Sequence, residues 1–176
     1  KGIAVIGTGD FTHPKWFAEL KEKLEPAEPG LFQLKKKYAE PMEKEIPESC
    51  RAPVRFLLSV EISTIYKKGE RTRKIHNLFL SPDFLSAGRL NATLQECGNV
   101  KSDGRPILGM DSKQLLQMAL DASTDNTCIP AHIWTPHFSL FGASSGFDRI
   151  EECFEDLTPQ IAALETGLSS DPAMNW

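Results

Sequence analysis

The sequence predicts an α/β domain with a largely parallel sheet, and three observations carry that expectation. Short apolar runs bounded by glycine or polar residues recur along the chain. Stretches with helix caps stand between them. His and carboxylate residues fall in these runs or just beyond their ends, where α/β folds gather active sites.

The elements follow in order. Gly2-Ile3-Ala4-Val5-Ile6-Gly7 is an apolar run closed by glycines and reads as a buried strand. Thr8 to Thr12 form a loop. Pro14 suits the first position of a helix, with Thr12 or His13 as its cap; this helix carries Trp16, Phe17 and Leu20 inward and runs to about Leu24. Residues 25–50, rich in Glu, Lys and Pro, form an excursion with one exposed helix around 31–38. Residues 56–60 make a second buried strand ending at Glu61. Lys67-Lys68-Gly69-Glu70-Arg71 is a turn, and residues 74–80 are a third strand. Ser81-Pro82 opens a helix from about Asp83 to Glu96, and Asp111 caps another over 112–120. Residues 127–131 form a fourth strand ending at His132. A loop with Gly142, Ser144, Ser145 and Gly146 follows, then a helical stretch over 147–154 and a fifth strand over 161–165. This alternation allows either an open doubly wound sheet or a barrel.

The chain has 176 residues, which suits one domain or a large piece of one. Its net charge of −4 excludes a uniformly basic surface, so contact with an anionic polymer must come from local patches or from metal ions. Cys50, Cys97, Cys128 and Cys153 are scattered, with no pair at CxxC spacing. They read as reduced, mostly buried thiols of a cytoplasmic protein. No apolar run approaches membrane-spanning length. Beginning at Lys1 and ending at Trp176 directly after a motif-like stretch, the chain reads as cut from a longer protein.

The candidate ligands share one placement. Asp10 follows the first strand, Glu61 ends the second, His76 lies in the third, His132 ends the fourth and Asp171 follows the fifth. His and carboxylate groups suit Zn²⁺ or Mn²⁺. Taken singly, each has a plainer role: a hydrogen-bonded core histidine, a salt-bridged strand end, a turn or cap aspartate. The plainer roles weaken when five such residues share a face.

At this point the motifs match a family. Val5-Ile6-Gly7-Thr8-Gly9-Asp10-Phe11-Thr12-His13-Pro14 resembles the second motif of the PHP (polymerase and histidinol phosphatase) domain. Val60-Glu61-Ile62-Ser63, Ile75-His76-Asn77-Leu78 and Pro130-Ala131-His132-Ile133-Trp134-Thr135-Pro136 resemble its glutamate and histidine motifs. Glu165-Thr166-Gly167-Leu168-Ser169-Ser170-Asp171-Pro172 resembles the last, aspartate-bearing motif. Residues 7–16, 61–67, 101–108, 131–142 and 165–176 resemble in particular the endonuclease Q branch, which nicks DNA at deaminated bases. The resemblance implies a distorted, TIM-like (β/α)7 barrel, incomplete here, with residues 1–176 as one partial metallophosphoesterase domain. The first strand with its His-x-His motif would lie before Lys1 and further regions beyond Trp176, so this stretch alone is expected to be inactive. Phe11 stands where the family pattern has the His of Asp-His, and Ala173 where it has the His of Asp-x-His. Both histidines serve a third ion, so the resemblance implies two metal sites, with His13 a candidate substitute ligand.

The resemblance also implies roles. Glu61 bridges two divalent ions (Zn, Mn or Mg), His76 and His132 hold one, Asp171 completes the other, and Asp10 orients a ligand or water. Two ions about 3.5–4 Å apart can activate water, neutralise phosphoryl oxygens and stabilise the leaving oxygen. Glu61, Asp171 and Asp10 are thus the expected catalytic residues. Lys67, Lys68, Arg71, Arg73 and Lys74 form the densest basic stretch, reading as a phosphate track or a solvated hairpin tip. Trp134 and Phe138 suit stacking on an extruded base or packing at the rim. His137 reads as a substrate-side or surface residue. The expected activity is cleavage of the DNA backbone beside uracil, hypoxanthine or an abasic site, with DNA as partner alongside repair or replication proteins. Alternatives are a phosphatase of small monoesters and a non-catalytic, metal-stabilised scaffold.

Overall fold

The structure is a computed structural model, which describes residues 2–101 and 105–167. Its strands are β1 (Val5–Gly7), β2 (Leu24–Pro26), β3 (Phe32–Leu34), β4 (Arg55–Lys68), β5 (Arg71–Ser81), β6 (Ile107–Leu108) and β7 (Thr127–Pro130). The helices are α1 (Pro14–Lys23), α2 (Lys36–Glu45), α3 (Phe84–Cys97), α4 (Ser112–Ala122) and α5 (Ile150–Phe154). Among the described residues the sheet runs β2-β3-β4-β5-β7, with β1 and β6 also pairing with β4. It is not closed into a barrel.

The sheet is also not the largely parallel one expected. β4 and β5 form a long antiparallel hairpin, with Lys68 opposite Arg71 and Leu58 opposite Ser81. A two-residue turn, Gly69-Glu70, joins them, and Gly69 has a φ of +62°. So short a connection permits only antiparallel strands. β7 is antiparallel to β5, and only β1 and β6 run parallel to β4 among the described strands.

The hairpin has two chemically different faces, because successive side chains alternate. One face presents Val60, Ile62, Thr64, Ile75, Asn77 and Phe79, all essentially inaccessible. Helix α4 closes over it, where Ser112 Oγ lies 2.7 Å from Thr64 Oγ1 and accepts from Asn77 Nδ2 at 3.3 Å. Leu90 and Leu94 of α3 and Leu115 and Leu116 of α4 complete the core. The opposite face carries Ser59, Glu61, Ser63, Thr72, Lys74 and His76. β4 therefore does not end at Glu61; it continues to Lys68, with Glu61 near its middle.

The helix starts follow local chemistry. His13 Nδ1 accepts from Trp16 N at 3.5 Å at the head of α1. Asp83 accepts from Ser86 N at 2.7 Å, and Asp111 from Lys113 N at 2.7 Å, capping α3 and α4. In residues 25–50, the strand β3 takes the first part of the stretch expected to be helical, and α2 follows it. Residues 161–166 form no regular strand. Cys128 and Cys153 are buried, whereas Cys50 and Cys97 are exposed, so only half of the thiols match the expectation of burial. Among the described residues, no helix is long and apolar enough to cross a membrane.

Candidate metal centre

Glu61 reaches the site from the middle of β4, and His76 from the same face of β5. Register sets Ser63 opposite His76, so Glu61 and His76 are diagonal neighbours. His132 arrives from just past β7, with its backbone at a φ of +34°. Two contacts hold that unusual conformation. The His132 N–H donates to Glu165 Oε2, and Ile133 N donates to Glu165 O at 3.0 Å. Glu165 N in turn donates to Pro130 O at 3.0 Å, locking this segment against the end of β7.

The three side chains converge on one point. His76 Nδ1 lies 3.2 Å and His132 Nε2 3.4 Å from Glu61 Oε1, and the two nitrogens are 3.0 Å apart. Arg105 Nη2 stands 3.0 Å from the same oxygen. Although three nitrogens surround it, buried Oε1 makes no well-directed hydrogen bond. The nearby His76 imidazole contributes most to holding the Glu61 carboxyl down to about 2, and the Arg105 guanidinium reinforces it against the opposing effect of burial. Glu61 is thus a carboxylate across the physiological range.

The hydrogen-bond partners fix the histidine tautomers. Thr135 Oγ1 lies 2.9 Å from His132 Nδ1, and within 3.0 Å of His137 O and 3.1 Å of His132 O. Carbonyls only accept, so the hydroxyl proton goes to one of them and the hydroxyl oxygen accepts from His132 Nδ1–H. That leaves the Nε2 lone pair facing Glu61. His76 Nε2 has Arg105 Nη1, an obligate donor, at 3.4 Å, which places its proton on Nδ1. The His76 ring is clamped between His132, edge-on at 5.1 Å, and Phe138, stacked at 4.8 Å.

These residues fit a divalent metal ion. Glu61, His76 and His132 each offer a ligand atom, all within 4.8 Å of one another. Two imidazoles and a carboxylate, with a further position open, form the donor set of catalytic zinc sites. The undirected Oε1 is the polar atom a cation would satisfy; a cation held at His76 Nδ1 would leave that ring's proton on Nε2, which requires Arg105 Nη1 to withdraw. Among the described residues this is a single three-ligand cluster. Asp171, assigned to a further ion, lies outside the described residues.

The remaining expected residues divide. Asp10 is exposed at the turn after β1, with a φ of +42°. Its loop is tied to the Glu61 strand: Gly9 N donates to Ser59 Oγ at 2.9 Å and Phe11 N to Ser59 O at 3.3 Å. His13 caps α1 and is not part of the cluster. Lys68 is bound to Glu155 at 2.7 Å and Asp111 at 3.5 Å. Arg73 donates to Gly146 O and lies 4.1 Å from the centre of the Phe147 ring. These two cations therefore hold the fold together. Lys67 is exposed near the hairpin tip. Trp134 packs against Phe141 at 5.1 Å, and Phe138 against His76, both as wall. Arg71 and His137 line an open cavity with Lys74.

Arg105, Thr135 and Glu165 are not expected at the site from sequence. Arg105 lies in the stretch 101–108 and Glu165 heads the last motif, but no local pattern signals what they touch.

No family model matches the chain, and no curated protein matches it significantly. Two solved structures do. The chain is similar to the crystal structure of the lesion-specific endonuclease PfuEndoQ from Pyrococcus furiosus, with a TM-score of 0.73 and 26% identity over 99% of this chain. It is similarly related to endonuclease Q in complex with a 27-mer duplex bearing an abasic lesion at the active site, with a TM-score of 0.72 and 26% identity. The chain spans 36% of the length of each.

Proposed function

We propose that this chain carries part of the active site of a metal-dependent nuclease that cuts the DNA backbone beside a deaminated or missing base. The observation that carries this reading is the convergence of Glu61 Oε1, His76 Nδ1 and His132 Nε2 on one point, with Oε1 lacking a directed hydrogen bond. The similarity to endonuclease Q supplies the reaction class and the polymer substrate.

Glu61, His76 and His132 would hold the ion, with Asp171 and residues outside this chain holding any second one. When bound, divalent ions supply Lewis-acid polarisation of the phosphoryl group and activation of water. The protein's own groups do the rest. Thr135 and Glu165 orient His132, and Phe138 fixes the plane of His76. Arg105 offers a guanidinium beside the carboxylate, a fork matched to phosphoryl oxygens. Asp10, on the loop tied to Ser59, orients water or a ligand.

The test is cleavage by the full-length protein, with Mn²⁺ or Mg²⁺, of labelled duplexes carrying one uracil, hypoxanthine or abasic site. Nicking confined to the lesion-bearing strand is the expected result. Equal cutting of undamaged DNA, or turnover only of small phosphate monoesters, would overturn the reading.

A further inference from the structure

An open cavity of about 440 Å³ lies along β5 from the metal centre, lined by Arg71, Thr72, Lys74, His137, Ser144 and Ser145. No carboxylate is among these residues, although the chain as a whole is acidic. Arg71 and Lys74 have no acidic partner among the described residues. Their neighbours Lys68 and Arg73 are engaged elsewhere, with Glu155 and with Gly146 O. The cavity thus gathers two of the hairpin's cations that have no carboxylate partner among the described residues, together with an imidazole and hydroxyl groups; a third, Lys67, is exposed near the hairpin tip and is not among the lining residues.

Its position is fixed relative to His76. Thr72, Lys74 and His76 alternate on one face of β5, so Lys74 stands about 6.7 Å along the strand from His76. Phe138 joins the two sites: its ring stacks on His76 at 4.8 Å, while Lys74 Nζ lies 5.4 Å from the same ring. The far wall is tied down. Lys74 N donates to Ser145 O at 3.3 Å, Ser145 Oγ donates to Lys74 O at 3.3 Å, and Ser144 N donates to Pro136 O at 3.0 Å. At Gly142, which sets this loop, an added Cβ would fall 2.9 Å from Pro136 O, so the loop closes only with glycine there.

We infer that this cavity is a second anion subsite, which seats a backbone phosphodiester one nucleotide along from the phosphate at the metal centre. The inference rests on the nuclease reading for its polymer. The chemistry it takes, however, is that of any phosphate group: a guanidinium fork, an ammonium and hydroxyl donors around a dianionic or monoanionic oxyanion. Seating two successive phosphates would set the strand's register at Glu61 without reading a base.

The experiment measures binding in EDTA, which stops turnover, so its outcome is independent of whether cleavage occurs. Fluorescent oligonucleotides are titrated into full-length wild type, R71A/K74A, K74R, and K36A as a charge-removal control on α2. The double variant is expected to bind about tenfold more weakly. Its slope of log K against log salt should fall by about 0.7 to 0.9 for each phosphate it no longer neutralises. K74R and K36A are expected to bind as wild type. Replacing one backbone phosphate at a time by a neutral methylphosphonate should weaken both proteins at the other contacted phosphates, but at one position should weaken wild type and leave R71A/K74A unaffected. Equal losses in both proteins at every position, or an unchanged salt slope, would overturn the subsite. Inorganic phosphate binding to wild type as tightly as the oligonucleotide, with the same weakening in R71A/K74A, would assign the cavity to free phosphate and overturn the polymer subsite. Absence of lesion cleavage by wild type with this binding pattern intact would instead count against the nuclease reading alone.

Discussion

The Thr135 hydroxyl oxygen lies 2.9 Å from His132 Nδ1, and this contact determines which nitrogen of the ring is free to bind a cation. Removing it frees the ring to flip or change tautomer. T135V is therefore expected to weaken divalent-ion binding about 10- to 100-fold, the usual cost of losing such a support. T135S, which keeps the hydroxyl, should retain most of the affinity. Calorimetric titration with Zn²⁺ or Mn²⁺ checks both; equal affinity for T135V and wild type would show that Thr135 does not orient the ligand.

Arg105 stands where a metal ion's positive charge would also act, 3.0 Å from Glu61 Oε1. Two cations beside one carboxylate compete. R105A is expected to bind the divalent ion at least as tightly as wild type. Its cleavage rate should nevertheless fall on the order of 100-fold, since it removes a phosphate-facing donor. Metal titration and single-turnover cleavage, measured on the same preparation, separate the two effects. A parallel loss of both would make Arg105 a structural support of the cluster.

The two faces of β4 predict unequal responses to truncation at adjacent positions. Ile62 is fully buried in the core, and I62A is expected to cost about 2–5 kcal/mol in denaturant unfolding. Ser63 is also buried, but its hydroxyl has no hydrogen-bond partner. S63A should therefore cost less than about 1 kcal/mol. Similar losses at both positions would contradict the two-faced strand.

At the α4–α5 corner two carboxylates, Glu155 and Asp156, are held below their ordinary values by Lys113 and so contribute to acid stability. Lys113 and then Lys68, at 2.8 and 2.7 Å, hold the Glu155 carboxyl down to about 2 from its ordinary value of 4.5. Because its folded-state value is depressed, the stabilisation is fully present above about pH 4.5 and is lost as pH falls through about 2. E155Q should be less stable than wild type at pH 7, and the difference should shrink between about pH 4.5 and 2. A constant difference across that range in thermal melts would remove Glu155 from this role.

What is legible in the sequence is mostly local. The caps His13 and Asp111 bond to residues two or three positions ahead, so these helix starts can be read directly, whereas α3 is capped by Asp83 and not opened by Ser81-Pro82 as the sequence suggests. The turn around Gly69 is equally plain, but the direction of its two strands follows only once the strands are known to reach it on both sides. Ser59-Val60-Glu61-Ile62-Ser63 alternates in the pattern of a half-buried strand, yet the apolar run before Glu61 masks that alternation and suggests a strand end there. Glu61, His76 and His132 carry chemistry in their own side chains, and the structure brings these three together. Arg105, Thr135 and Glu165 gain their roles only through contacts with residues distant in sequence or through the geometry of a turn, which no local spacing encodes. The basic stretch is visible as charge. Its division into structural cations, Lys68 and Arg73, and cations without a carboxylate partner, Lys67, Arg71 and Lys74, depends on which carboxylates and carbonyls the fold places nearby.

The central claim, that Glu61, His76 and His132 bind a divalent ion together, is tested most directly by anomalous X-ray scattering from crystals of the full-length protein grown with Mn²⁺ or Zn²⁺. An absorption-edge peak is expected within about 2.0–2.2 Å of Glu61 Oε1, His76 Nδ1 and His132 Nε2. An edge peak only elsewhere, with Arg105 still against Glu61 Oε1 at saturating metal, would contradict it.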